Sequence, residues 1–360
     1  EFLALFVYIA MCQYKIDSFE ESNESVDQYL SVNSDSAVAL NLKSCDYLRL
    51  FEPDIAESQI LQIQKFSSSS YDFVGVLVKH NICVFHNGID GFTVFTPLVN
   101  TLHEARYNLC ILYMRESNPT EAFNLLNEQF QALDLNANLL KASVQLSLGQ
   151  VTSDTNLIEE ANAIYQEVGE MEVIKDTVPG RQALATSKFI IGEYDNVLRI
   201  FNTIEEAMTE NDEFNYNKAM ALASLSRWAE AERYFLLVKN QSYTKEIYYC
   251  SWLCRCYIKN KKLDQAWNLY MEATNPEDSK TLLVIIANDC YQCSEFYYSM
   301  RAYNMLTSCD EEPSYKEGMI ASAIGVFRNI LSRRDSADKL QDVFACLEAE
   351  PAAEQILQVI

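Results

Sequence analysis

The side chains best suited to chemistry are few, and their spacing argues against a reaction. Only three histidines occur, His80, His86 and His103, all in one stretch. His86 stands four residues before Asp90, a spacing from which an acid–base pair can be drawn, but no nucleophile at a strained turn accompanies it. They read as turn and core histidines. Cys290 and Cys293 have CxxC spacing, and Cys250, Cys254 and Cys256 lie upstream. A zinc site needs two such pairs converging, or thiols together with imidazoles. Small buried packing residues are the better reading. No GxxxxGKS/T and no strand-borne GxGxxG is present, so nothing supports nucleotide binding. Glu205, Glu206, Glu210, Asp212 and Glu213 read as a solvated helix end and loop. The aromatic stripe Tyr243, Tyr248, Tyr249, Trp252 and Tyr257 reads mainly as core, with room for an exposed anchor among them. The expectation is therefore no catalytic residue, no cofactor and no metal.

The elements that position these residues are helices. Nine glycines and seven prolines in 360 residues leave little punctuation for a turn-rich β fold. The clearest unit is YCSWLCRCYIKNKKLDQAWNLYMEA, from Tyr249 to Ala273. It fits the tetratricopeptide template, with Leu253 and Cys254 as the large–small pair, then Tyr257, Ala266, Tyr270 and Ala273. Small residues let two antiparallel helices approach, and bulky neighbours fill the groove beside the contact. Relatives of this unit place Ala185, Val197 and Phe201, then Ala219, Leu222, Ala231 and Phe235, then Ala287, Cys290, Ser299 and Tyr303 at equivalent positions. The second-helix anchors Val197, Ala231, Ala266 and Ser299 thus recur about every 34 residues.

Upstream the same frame gives Ser22, Ala56, Phe92, Ala122 and Ala161, with first-helix anchors Ala10, Ser44, Cys110 and Ala142. The unit near Phe92 is irregular, and the one from Ala142 to Ala161 holds about seven extra residues near GQVTSDTN. The reading is an all-α, right-handed superhelical tetratricopeptide-repeat solenoid. Its array of about nine units, some degenerate, spans residues 1–313, and C-terminal capping helices occupy 314–360. Turns are expected near Asn33–Ser36, Ser67–Ser70, Glu116–Pro119, Asp176–Gly180, Glu210–Glu213, Asn275–Asp278 and Asp310–Pro313. Pro53, Pro119 and Pro276 belong at inter-helix turns.

Composition bounds the partners. The formal charge of −23 excludes a dense basic surface for nucleic acid and disfavours anionic membranes, while it suits a basic partner surface. Eleven cysteines, mostly inside apolar runs, read as reduced, buried thiols. Phe2 to Cys12 is continuously apolar but too short for a bilayer, which needs about 20 residues. It reads as a buried helix. The abrupt start without Met suggests a fragment lacking further N-terminal repeats.

Several stretches resemble the intraflagellar transport protein 56 family, tetratricopeptide-repeat subunits of the ciliary transport B complex. They include ALNLKSCDYLRL (Ala39–Leu50), KHNICVFHNGIDGF (Lys79–Phe92), TPLVNTLHEARYNLCILYMR (Thr96–Arg115), DTVPGRQALA (Asp176–Ala185), FNYNKAMALA (Phe214–Ala223), SWLCRCYIKNKK (Ser251–Lys262) and IANDCYQCSEFYYS (Ile286–Ser299). The resemblance implies a non-enzymatic scaffold of cilium and cytoplasm, including the ciliary base. Its implied partners are other B-complex subunits and motility-related cargo. The competing class is a generic peptide-binding adaptor or co-chaperone. The basic–Asn clamp of such adaptors is not matched here, because the residues after the first-helix anchors are Met11, Cys45, Ile111, Thr186, Met220, Arg255 and Asn288. On such a stack those positions face the concave groove. Arg255 and Asn288, with Asp289 beside the latter, are therefore the candidate partner contacts. Arg181, standing where the template prefers a large aromatic, is a fourth. A competing structural reading has these groups bridging neighbouring repeats or capping the Asp176–Gly180 turn.

Overall fold

The computed structural model describes residues 2–66, 73–128, 135–310 and 312–348. Among them every regular element is a helix. They fall into two compact units, residues 1–168 and 169–360. The first pairs α1 (Ala4–Lys15) with α2 (Phe19–Leu30), α3 (Ala37–Arg49) with α4 (Pro53–Phe66), α5 (Phe73–Phe85) with the short α6 (Gly91–Phe95), α7 (His103–Arg115) with α8 (Pro119–Glu128), and α9 (Leu135–Thr152) with α10 (Thr155–Glu170). The second pairs α11 (Val178–Ile190) with α12 (Tyr194–Met208) and α13 (Asp212–Ser224) with α14 (Trp228–Phe235). After the single turn α15 (Gln241–Thr244) come α16 (Ile247–Lys259) with α17 (Leu263–Glu272), α18 (Pro276–Gln292) with α19 (Phe296–Cys309), and α20 (Pro313–Leu331) with α21 (Leu340–Glu348). These are the helix hairpins of a tetratricopeptide-repeat fold.

The small anchors sit where the hairpins close. Ala10, Ser44, Cys110, Ala142, Ala185, Ala219, Cys254 and Ala287 on the first helices are 0% exposed. On the second helices Ser22, Ala56, Ala122, Ala161, Val197, Ala231 and Ser299 are equally buried, and Ala266 is 1% exposed. Pro53, Pro119, Pro276 and Pro313 each open a helix, where the missing N–H breaks no bond. The turn expected at Ser67–Ser70 lies outside the described residues.

A backbone device closes each hairpin. Seven residues after the first-helix anchor the chain enters the left-handed region, at Asp17, Phe51, Ser117, Gly192, Ser226, Lys261 and Ser294. The following N–H then reaches back to the carbonyl five residues earlier, as from Glu52 to Tyr47, Lys262 to Tyr257 and Glu295 to Cys290. This is the helix-ending bond pattern that satisfies the last turn's free carbonyls. Only one of these positions is glycine, so the turns leave little trace in the composition.

Two expectations need correction. Phe92 does not take the second-helix anchor place, since it is 40% exposed while Gly91, one residue earlier, is buried. The equivalent first-helix position is His80, twelve residues before Phe92, where the other hairpins of standard length carry a small residue. His80 is 5% exposed, its ring lies 5.2 Å from that of Phe95, and its Nε2 is 3.0 Å from Asn108 Nδ2. Gly91 is confined by other neighbours: a Cβ there would fall 2.3 Å from Leu112 Cδ1 of α7 and 3.1 Å from Phe95 Cε2. The apolar first helix is not a buried one either. Only Ala10 of α1 is fully covered, while Leu5 and Tyr8 are 57% and 66% exposed. α1 packs on α2 and α3 from one side, and its other side faces solvent.

The seven-residue insertion becomes helix. In this hairpin the left-handed residue is Ser153, eleven residues after Ala142 instead of seven, and Ala161 follows eight later instead of five. Each helix therefore grows by about one turn. The anchors still meet, and Ser143 Oγ lies 2.7 Å from Tyr165 Oη across the pair.

Candidate functional site

The strongest candidate surface is the groove between α16 and α18. Along α16 the residues divide by helical spacing. Tyr249, Leu253 and Tyr257, four apart, are 4%, 4% and 8% exposed and belong to the core. Tyr248, Trp252 and Arg255, at four- and three-residue steps, share another face. Tyr248 is 73% exposed, so the core reading of the aromatic stripe holds for Tyr249 and Tyr257 and fails for Tyr248. With Ser251 these residues form one wall of a cavity of about 520 Å³, and Lys280, Thr281, Val284 and Ile285 of α18 form the other.

The anchors Cys254 and Ala287 aim Arg255 and Asn288 outward. The Arg255 guanidinium carbon lies 5.2 Å from the centre of the Trp252 ring, and Nε lies 3.6 Å from Asp289 Oδ2 on the next repeat. Burial raises the Asp289 carboxyl above its ordinary value, and the charges of Arg255 and Lys259 draw it back. Asn288 is exposed and its Oδ1 accepts a 2.6 Å hydrogen bond from the Tyr303 hydroxyl. Three of the four candidate residues thus come together. Arg181 does not join them. It lies in the first turn of α11 with Nη2 2.6 Å from Asp176 Oδ1, closing the turn that precedes its helix. Sequence reasoning missed Tyr248, Trp252, Lys280 and Val284 as groove residues; the four-and-three spacing with Arg255 was the signal for the first two.

The other chemistry-bearing groups are engaged in structure. His86 Nε2 lies 2.9 Å from Glu57 Oε2 of the preceding hairpin, so its carboxylate partner is Glu57 and not Asp90. Glu205 is not simply solvated. It accepts 2.9 Å from Lys218 Nζ, a nearly buried ammonium whose nitrogen also lies 4.7 Å from the Tyr234 ring centre, and it accepts from the Tyr234 hydroxyl. Asp212 accepts from the Lys239 and Asn240 amides at 3.1 and 2.7 Å, and Glu213 from the Tyr243 hydroxyl at 2.7 Å. Glu206, Glu210 and Glu213 are exposed and fit the solvated reading, Glu213 with a hydrogen-bond partner. Burial pushes the Cys290 thiol up to about 12 and the Cys254 thiol higher still, as apolar surroundings do to a packed thiol. Among the described residues no three His, Cys, Asp or Glu side chains converge to hold a metal, and no helix is long and apolar enough to cross a membrane.

Known proteins place this geometry. Among solved structures the chain is similar to the P58(IPK) tetratricopeptide-repeat domain, at 12% identity over 91% of this chain and 99% of that one, with a TM-score of 0.26. It is also similar to the tetratricopeptide-repeat TPR2AB domain of yeast Sti1 in complex with pHSP90, at 12% identity over 83% and 98% of the two chains, with a TM-score of 0.24. Superpositions that loose carry no weight, and the fold rests on the hairpins themselves. Sequence relatives say more. The intraflagellar transport protein 56 homolog of Caenorhabditis elegans is 32% identical over 264 residues, which are 73% of this chain and 46% of that protein, so the match spans about half of the relative's length. The profile of one family, intraflagellar transport protein 56, matches from residue 1 to residue 360. With that match over its whole length, the chain belongs to the intraflagellar transport protein 56 family.

Proposed function

We propose that this chain is a non-catalytic scaffold of the intraflagellar transport B complex. In this reading it joins other B-complex subunits and helps carry motility-related cargo between the cytoplasm at the ciliary base and the cilium. The observation that carries it is the α16–α18 groove, where an exposed tyrosine and a tryptophan-stacked arginine share one wall and the exposed Asn288 lies further along the helix that forms the other. Aromatic and arginine side chains on a rigid helical wall are the usual anchors of protein interfaces. Family membership supports the ciliary setting. Residues 314–360 serve in the same proposal as the cap of the repeat array. The burial of Val343 and Leu347 of α21 with Met300, Met319 and Val326 supports that role.

The test is Arg255→Ala combined with Asn288→Ala, followed by co-purification from ciliated cells. Truncating a central interface anchor costs about 2 kcal/mol, so B-complex partners should be lost while the thermal midpoint stays nearly unchanged. Unaltered co-purification excludes the groove as the main binding face. A large fall in midpoint assigns these residues to bridging neighbouring repeats. Arg181 and Asp289 belong to the same proposal as contacts that exchange their internal carboxylate or arginine for a partner group on binding.

A further inference from the structure

A second cleft opens on another side of α16, where α15, the end of α17 and the start of α18 meet. It encloses about 320 Å³. Ile247, Cys250, Leu269 and Leu282 make an apolar floor, and Leu282 is almost fully buried. Glu272, from the last turn of α17, and Asp278, from the first turn of α18, stand at its edge. Among the described residues neither carboxylate has an ion-pair partner. Lys245 lies on the third side, leaving the mouth net negative by one charge. Both carboxylates act on the thiol at the bottom. Burial first, then the negative charge of Asp278 and that of Glu272, hold the Cys250 proton on, and Cys250 Sγ donates it to the Thr244 carbonyl at 3.3 Å.

An apolar trough ending at two unpaired carboxylates matches a long side chain that is aliphatic along its stem and cationic at its tip. We propose that this cleft receives a lysine or arginine side chain of a basic partner protein, its stem on Leu269 and Leu282 and its charged head between Glu272 and Asp278. The chain's formal charge of −23 favours association with such a surface over an acidic one. Asp278 also complements the N-terminal end of α18 from its first turn. The proposal is independent of the groove above, because it uses none of Tyr248, Trp252, Arg255 or Asn288.

Cys250 permits a direct test on the whole chain. The protein is equilibrated in a thiol–disulfide buffer with aminoethyl disulfide or with its neutral counterpart, hydroxyethyl disulfide. Adducts are then quantified at each cysteine by peptide mass spectrometry. The aminoethyl group tethered at Cys250 has nearly the reach of a lysine tip. It should exceed the hydroxyethyl adduct there by about fivefold, the ratio that corresponds to about 1 kcal/mol. The exposed Cys12 and Cys309 should show no such preference. Glu272→Gln with Asp278→Asn should bring the two adducts at Cys250 to parity, with the thermal midpoint monitored to confirm folding. Equal adducts in the unaltered protein, a preference that survives the double substitution, or no labelling of Cys250 by either reagent would each overturn the proposal.

Discussion

Residues 169–360 and residues 1–168 use the same hairpin and build different cores. In the former, one continuous cluster of buried side chains runs from Ala185 on α11 to Leu306 on α19. In the latter, the buried side chains of the described residues fall into smaller groups, among them those around Ala10 and Val26, Leu40 and Ile60, Phe95 and Leu109, and Cys110 and Leu126. The anchors account for only part of the contrast, since those of the first unit apart from His80 are equally small. From Ala185 to Ser299 every crossing carries a small residue or valine, so consecutive hairpins nest and their cores merge. At His80 the crossing is held by an imidazole, the second helix shrinks to five residues, and the packing reorganises locally.

The largest test of that contrast is overpacking. Ala266→Leu, at a site 1% exposed where α16 and α17 cross, should cost about 1–3 kcal/mol and lower the unfolding midpoint. Amide exchange should then rise across α12 to α19 together. Ala122→Leu, as deeply buried, should cost a similar amount but raise exchange only within α7 to α9. If both substitutions spread equally far, the division into continuous and broken cores is wrong.

An ion pair beside the continuous core, its ammonium buried and its carboxylate about one-third exposed, comes next. Lys218→Met leaves the Glu205 carboxylate and the Tyr234 hydroxyl without their cation, and should cost about 2 kcal/mol at neutral pH. Glu205 is held below the ordinary carboxylate value by the Tyr234 hydroxyl first and by Lys218 second. Its contribution is therefore present above the unfolded value of 4.5 and lost as pH falls through the lower folded one. The midpoint of the unaltered protein should drop below pH 4.5 more steeply than that of the variant.

Asp46 in the first unit has the opposite sign. Its side chain is fully buried, Ser22 donates to Oδ2 at 2.8 Å, and among the described residues Oδ1 has no hydrogen-bond partner. Burial pushes its pKa up from 3.8 to about 6, so the folded state prefers the protonated acid. The stability this gives is fully present below 3.8 and lost as pH rises through about 6. Asp46→Asn should consequently stabilise the protein by about 1 kcal/mol at pH 7 and bring no gain at pH 4, as read by denaturant titration at the two values. A variant destabilised at both would show that the carboxyl group is a needed member of the α2–α3 contact in either protonation state.

These side chains also mark what the sequence made legible. The anchors followed from residue size and spacing alone, because a helix crossing tolerates only small groups and the spacing repeats. The misplacement of Phe92 came from continuing that count through a unit whose first-helix anchor, His80, is large. Arg255, Asn288 and Asp289 were legible as a group since the frame aims them outward. Asp46, Lys218 and the pairing of His86 with Glu57 were not. Their partners lie on other helices, at separations that no local period encodes. Tyr248 was lost inside a run of aromatics that only helical phase divides.

The smallest expected effect concerns the hairpin turns, where one turn of the first unit carries a phenylalanine at the position that a glycine fills in one turn of the second. Phe51 in the first and Gly192 in the second each stand seven residues after their anchor, with φ of 62° and 79°. The left-handed region costs a residue with a Cβ roughly 1–2 kcal/mol, and glycine escapes that penalty. Glycine gives back about 0.5–1 kcal/mol because its unfolded chain is freer. Phe51 is 91% exposed, so replacing it removes almost no packing. Phe51→Gly should therefore stabilise the protein by about 0.5 kcal/mol, and Gly192→Phe should destabilise it by about as much. Thermal melts of both variants against the parent measure the pair. Were Phe51→Gly to lower the midpoint, the ring would be making a contact that the folded chain needs, and the turn's conformation would owe its stability to that contact instead of to the carbonyl–amide bond from Glu52 to Tyr47.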